Sequence, residues 1–256
     1  MTKTALICIS FLLVIVAAIY GPKAVRLYKL ANLYNEDKIA SNFINIDKIF
    51  QVSKPIPSSQ NPHSFVRKDF KLPDTYSFEG EEKSLEQGLS HFKTDGLMVL
   101  HNGNLLYENY WNGNTPTSKH IAFSVTKSFV SALIGIAHHD GLIDSIEDPI
   151  TKYLPDFNGT GYEGVRIKDI LQMSSGVKWN EDYADANSDV NIASAFNDTK
   201  LYSYLNKLEV SNKPGTKFNY NTAESNVIGG IVRAATGQNL STYLEKKINL
   251  LVIYIT

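Results

Sequence analysis

From Ser124 to Ala137 the chain carries Val125, Phe129, Val130, Leu133, Ile134, Ile136 and Ala137 with little polar face between them. A helical stretch this apolar is expected to be buried nearly all round, so the fold has to be assembled around it. Gly141 follows and offers the left-handed residue that a helix C-terminus takes. At 256 residues and 43% hydrophobic content, the chain has the apolar surface for one sizeable domain or two small lobes.

The neighbouring segments give that helix partners. Gly96 to Trp111 reads as two strands joined at Asn102-Gly103, the strongest short hairpin signal. Asp148-Pro149 and Leu154-Pro155 mark a turn-rich crossing. Further helices are predicted over Ile167 to Met173, closing at Gly176, near Ala223 to Thr236 before Gly237, and from Leu240 to Ile248. Strands early and helices in the middle predict an α+β layout. Residues 24–69 read as a connecting stretch, with a short helical pattern and a Pro/Ser-rich piece, Ser53 to Pro62, where prolines stop both helix and central strand.

The N-terminus is compositionally distinct. Thr4 to Tyr20 holds no charge and lies between Lys3 and the basic set Lys23, Arg26 and Lys29. Its length is close to the ~17–25 residues that span a bilayer as a helix. Val16-Ala17-Ala18 offers small residues to a signal peptidase, but the run is long for a signal core, so an uncleaved anchor is the preferred reading. The expected organisation is a transmembrane anchor over 1–22, a juxtamembrane linker over 23–69 and a globular domain over 70–256. Lys and Arg counting places the Lys23–Lys29 side in the cytoplasm, whereas the chemistry below belongs outside it. The expected location is a single-pass cell-membrane protein with its catalytic domain periplasmic or otherwise extracytoplasmic.

Net charge is −1 with acids and bases interspersed, so no basic face is present for nucleic acid, and none is expected as a partner. The single cysteine, Cys8, lies in the first apolar run, and the six histidines show no metal-ligand spacing. Neither a metal nor another cofactor is expected.

A Ser-x-x-Lys spacing places a hydroxyl and an amine one helical turn apart on one face, where a lysine held neutral can deprotonate the serine. About one match arises by chance in a chain of this length. Three occur: Ser90–Lys93, Ser124–Lys127 and Ser175–Lys178. Ser90–Lys93 lies in a charged helical stretch that reads as a solvated face. Ser175 stands at a helix end, at the wrong pole of the dipole for a developing anion. Ser124 opens the most apolar helix, where free N–H groups and the dipole favour negative charge. The plainer alternative makes Ser124 an N-cap and Lys127 a snorkelling side chain. A proton carrier toward the leaving group is also needed. Tyr220, in the turn-rich Pro214–Thr222 loop that leads into a helix, is the candidate, although one of fourteen tyrosines at such a junction is also an ordinary packing residue.

Read together, these segments resemble the β-lactamase-related serine hydrolases. The similarity rests on Ser124-Val-Thr-Lys127-Ser-Phe-Val, Asp140-Gly-Leu-Ile, Asp148-Pro-Ile, Tyr153-Leu-Pro155, Val165 through Gly176, Pro214-Gly-Thr, and Ile228 through Gly237. The pieces run in the order found in class C β-lactamases, DD-peptidases, family VIII esterases and 6-aminohexanoate-dimer hydrolases, over roughly Gly96 to Ile248. Trp179-Asn-Glu-Asp-Tyr183 and Asn187-Ser-Asp-Val190 are most similar to the last branch. The resemblance implies the penicillin-recognising (β-lactamase/transpeptidase-like) α+β fold and an acyl-serine mechanism on a small amide, ester or β-lactam. In it Ser124 is the nucleophile, Lys127 its base and Tyr220 the carrier of the proton, with the Ser124 N–H one oxyanion donor. Tyr183 would line the substrate cleft, an exposed loop tyrosine being the alternative. Thr222 would stand at the substrate-recognising third position of the second motif.

Two departures follow from the same resemblance. Position 222 is Thr where relatives carry Asn or Ser, which bears on amide recognition. The third motif, Lys-Thr-Gly or His-x-Gly on a strand, has no match within residues 1–256, and Asn249 to Thr256 stands where relatives show a Pro-Leu-Gly turn. The expectation is a fold incomplete at its C-terminus, with an unpaired apolar edge on the Gly96–Trp111 hairpin and without a second oxyanion donor. The polypeptide as it stands is then expected to be inactive or poorly folded. The competing functional class is a non-catalytic membrane-anchored binding or sensor module, or a decayed remnant of the same fold.

Overall fold

The structure, a computed structural model, describes residues 18–22, 24, 25, 27–49, 64–194, 196 and 198–248. The expected membrane span over 4–20, the Pro/Ser run and the tail 249–256 lie almost wholly outside these residues. Among the described residues no helix is long and apolar enough to cross a membrane.

The described residues fall into two compact units, one ending at Ile121 and one beginning at Ala122. The first is built on the expected hairpin. Strands β4 (Gly96–His101) and β5 (Asn104–Tyr110) pair antiparallel, with Gly96 opposite Tyr110 and His101 opposite Asn104. Asn102 and Gly103 both take positive φ (49° and 72°), as the tightest two-residue turn requires. A bulge between Val99 and Leu100 shifts the register. Strand β1 (Val66–Arg67) adds parallel to β5, giving the order β1-β5-β4, so the stretch read as a linker contributes to this sheet. A second two-stranded sheet joins β2 (Thr75–Phe78) to β3 (Glu81–Ser84) through Glu79-Gly80. Helix α1 (Ile39–Ile44) and helix α2 (Leu85–His91), the latter capped by the Ser84 side chain, also belong to this unit.

The second unit is helical and holds the core. Its longest helix, α3 (Val125–His139), buries Leu133, Ile134 and Ala137, one stripe at i, i+1 and i+4. This stripe packs among helices α7 (Glu224–Thr236) and α8 (Leu240–Lys247), and α7 answers with Val227, Ile228, Ile231 and Val232. The expectation of a helix buried all round is corrected here: Val125 is 58% and Phe129 40% exposed. Apolar residues in the first turns exceed what the packed stripe covers, and an apolar side chain at the surface is ordinary. Short helix α4 (Ile167–Leu171) also packs on α7, and ends earlier than predicted because Met173 takes a positive φ of 50°. Helices α5 (Asp189–Ala193) and α6 (Asp198–Leu205) lie in the stretch before the Pro214 loop. Gly237, at φ 64°, closes α7 as its left-handed cap.

Candidate active site

Ser124 is the N-cap residue of α3, yet its side chain makes no capping bond. The N-cap alternative would have committed Oγ to a backbone N–H. Oγ instead lies 3.0 Å from Lys127 Nζ and 2.8 Å from the Tyr220 hydroxyl, accepting from both. Lys127 Nζ also stands 5.3 Å from the centre of the Tyr220 ring, within cation–π range. The three side chains singled out by the sequence thus meet at one oxygen. Lys127 is half-buried rather than sealed in a core, since α3 buries only its later turns.

Local backbone geometry presents this oxygen. Phe123 takes φ 41°, a left-handed conformation that costs a bulky residue of order 1–3 kcal/mol and so needs support from its surroundings. Immediately after it the chain enters α3, with the Val125 N–H on the Ala122 carbonyl and the Thr126 N–H on that of Phe123. The Ser124 N–H stands at the start of α3, the positive end of the helix, where negative charge is favoured.

Tyr220 is placed by a loop stitched to the turn after α4. The N–H groups of Ser211 and Asn212 donate to the Gly176 carbonyl, that of Gly215 to Ser174, and that of Asn219 to Met173 at 2.8 Å. Gly176, at φ 81°, permits this approach: a Cβ there would lie 2.0 Å from the Asn212 carbonyl oxygen. The Asn219 amide also donates to the Trp179 carbonyl at 3.2 Å. Beyond Tyr220, Asn221 is buried, accepts from the Ala223 N–H and donates to Glu224.

A residue that sequence reasoning missed lies beside this loop. Glu181 accepts from the Thr222 N–H at 3.1 Å, the Thr222 hydroxyl, the Trp179 indole N–H and the Tyr183 hydroxyl at 2.8 Å. Burial pushes its carboxyl up, but these four bonds outweigh it and hold the group below the ordinary glutamate range. Its one sequence signal was a carboxylate between Trp179 and Tyr183. Thr222, expected at a substrate-recognising position, directs both of its donors at Glu181 and has none left for a substrate. Tyr183 is 62% exposed, and its hydroxyl too is turned to Glu181.

Glu224, at the start of α7, is a second unanticipated group. It is 1% exposed, and burial pushes its carboxyl up to about 8; the Asn221 amide donates to Oε1 at 3.4 Å, while Oε2 and the Tyr162 hydroxyl have no hydrogen-bond partner among the described residues. The large groove among the described residues of the first unit, lined by Leu85, Leu89, Tyr107 and Trp111, contains none of these side chains.

The Beta-lactamase family model matches residues 83–249. The 6-aminohexanoate-dimer hydrolase of Paenarthrobacter ureafaciens is 33% identical over 178 residues, covering 64% of this chain and 45% of that protein. Protein flp of Staphylococcus aureus is 25% identical over 175 residues, covering 64% and 34%. The chain therefore spans less than half the length of these relatives. Among solved structures, a candidate 6-aminohexanoate-dimer hydrolase from Bacillus anthracis superposes with a TM-score of 0.73 at 22% identity, covering 85% of this chain and 60% of that one. The octameric penicillin-binding protein homologue of Pyrococcus abyssi gives 0.54 at 21% identity, covering 64% and 40%. These likenesses support the penicillin-binding-protein-like α+β fold, and the match of the family model over most of the chain shows that it belongs to the β-lactamase family.

Proposed function

We propose that this member of a hydrolase family cleaves an amide, β-lactam or ester bond through an acyl-Ser124 intermediate. The observation that carries the reading is the convergence of Lys127 Nζ and the Tyr220 hydroxyl on Ser124 Oγ. As Oγ attacks the carbonyl carbon, its proton passes to Lys127 Nζ, and the carbonyl oxygen becomes an oxyanion facing the Ser124 N–H. One such donor contributes about 10²–10³ in rate. Collapse of the tetrahedral adduct breaks the bond to the leaving group, which takes a proton from Tyr220, with Lys127 reprotonating the tyrosine. In deacylation Tyr220 passes its hydroxyl proton to Lys127 as it takes one from water, whose oxygen attacks the acyl carbonyl carbon, and Ser124 Oγ leaves with the proton that Lys127 then gives it. Within these substrates, a linear amide is the favoured class, because the 33% identical relative is a hydrolase of an aminohexanoate dimer.

The test uses the purified protein and its variants. Fluorophosphonate labelling that disappears in Ser124→Ala supports the acyl-serine reading. Turnover of nitrocefin, a simple ester and a linear amide then ranks the substrate classes. Binding of these compounds without turnover, unchanged by Ser124→Ala, would favour the non-catalytic module instead. For location we propose a membrane tether through residues 4–20 with the domain outside the cytoplasm. Resistance to carbonate extraction, and protease accessibility in intact cells, check the two parts separately.

A further inference from the structure

We propose that Glu181 is a positioning residue that holds Tyr220 against Ser124 by clamping the Trp179–Tyr183 turn to the Tyr220–Thr222 turn. The role of Tyr220 rests on the hydrolase reading above; the clamp itself rests on geometry. One carboxylate oxygen, Oε2, accepts from the Trp179 indole N–H and from the Thr222 N–H at 3.1 Å. The other, Oε1, accepts from the Tyr183 hydroxyl at 2.8 Å and from the Thr222 hydroxyl. An ionised carboxylate has about four lone-pair sites, and four donors fill them. Hydrogen bonds to an ionised acceptor are roughly twice as strong as neutral ones.

Two of the four donors belong to one residue, two positions after Tyr220. On the other side Asn219 is held by its N–H on Met173 and its amide on the Trp179 carbonyl. Tyr220 is therefore fixed between two anchored neighbours, and its hydroxyl lies 2.8 Å from Ser124 Oγ. Asn219 anchors one side through backbone acceptors; on the other, Glu181 takes both donors of Thr222, beside the bonds that tie Asn221 to Ala223 and Glu224. None of these four bonds goes to Ser124, Lys127 or Tyr220, so Glu181 acts through Thr222 rather than on the reacting atoms. Thr at 222 supplies a hydroxyl of the right reach for this clamp, and the position serves the geometry of the tyrosine rather than recognition of an amide.

The test compares Glu181→Gln, Glu181→Ala and Thr222→Val in the protein as its gene encodes it. Ester hydrolysis gives kcat and KM, fluorophosphonate labelling gives the acylation rate, and circular dichroism with thermal melting establishes folding. Glutamine keeps one acceptor oxygen and alanine keeps none, so the loss is graded. Because a misplacement of about 1 Å costs on the order of 10² in rate, kcat should fall about 10-fold in Glu181→Gln and Thr222→Val and about 10²-fold in Glu181→Ala, with KM within about two-fold. A loss confined to KM would make Glu181 a substrate contact. Folded Glu181→Gln and Thr222→Val proteins with kcat unchanged would make it a loop staple. Either result overturns the proposal, and if Glu181→Ala does not fold, the other two variants decide. A wild-type protein that labels no better than Ser124→Ala refutes the hydrolase reading and this inference with it. Normal wild-type turnover beside unchanged variants refutes the clamp alone.

Discussion

Ser124–Lys127 and Ser175–Lys178 share one spacing within the second unit and have opposite fates. Ser124 is exposed, its hydroxyl makes no capping bond, and a lysine and a tyrosine close on it. Ser175 is 3% exposed, its hydroxyl accepts from the Val177 N–H, and it faces the buried Glu224; its lysine turns outward to Glu209 at 3.8 Å. In one case the backbone leaves the oxygen to the side chains, and in the other it takes the oxygen for itself. The chemistry is decided by that difference, because two hydroxyls of equal intrinsic reactivity are equally poor nucleophiles until a base reaches one of them.

The sharpest way to break the comparison is to exchange its predicted outcomes. Ser124→Ala should abolish fluorophosphonate labelling and lower hydrolysis by about 10⁴–10⁶, the range seen when a nucleophile that works as part of a unit is removed. If Ser175→Ala does the same in folded protein while Ser124→Ala does not, the assignment is reversed. Tyr220→Phe comes next. It keeps the ring beside Lys127 but removes the hydroxyl at Ser124 Oγ, and kcat should fall by about 10²–10⁴, as for loss of a general acid–base group. Measured by burst kinetics, the loss should appear in acylation and deacylation alike, since both steps move a proton through that phenol.

How much of this was legible beforehand differs between the two units. The β4–β5 hairpin was readable because Asn102-Gly103 is a turn signal in itself, and α7 because Gly237 closes an apolar periodic run. Strand β1, the β2–β3 pair and helices α5 and α6 were not. They are short, their residues are of mixed polarity, and what holds them is pairing or packing against segments distant in sequence. The site shows the same division. Ser124, Lys127 and Tyr220 could be named from linked motifs, and their meeting at one oxygen is a tertiary fact. Glu181 and Glu224 could not, because an acidic residue in a loop or a first helical turn reads as solvated until its donors, or its burial, are seen.

Glu224 separates the two serines on a pH axis. Its folded value of about 8 lies above the ordinary 4.5, so between these values the unfolded chain has lost a proton that the folded chain keeps. Stability on this account is greatest below about 4.5, falls as pH rises through the window, and levels off above about 8. Glu224→Gln should flatten that slope and be the more stable protein at and above pH 8, by on the order of a few kcal/mol. The Asn221 amide donates to the carboxyl, and glutamine keeps an acceptor oxygen for that bond. Chemical denaturation of both proteins across pH 4 to 9 reads the difference directly, and parallel slopes would show that the carboxyl is not held neutral.

The smallest effects test whether spacing alone carries any weight. Ser175→Ala removes a buried hydroxyl from the Val177 N–H and from Glu224, and should cost about 1 kcal/mol with labelling at Ser124 intact. Ser90→Ala lies on an exposed turn of α2 in the first unit, where Lys93 already donates to Glu36. No named mechanism of destabilisation applies there, so the change should stay within about 0.5 kcal/mol and leave turnover untouched. A loss of activity in Ser90→Ala would mean that the Ser-x-x-Lys pattern has a use that neither burial nor hydrogen bonding reveals. Equal activity in Ser90→Ala and wild type, against its collapse in Ser124→Ala, would show that one spacing acquires chemistry only where the fold brings a tyrosine to the same oxygen.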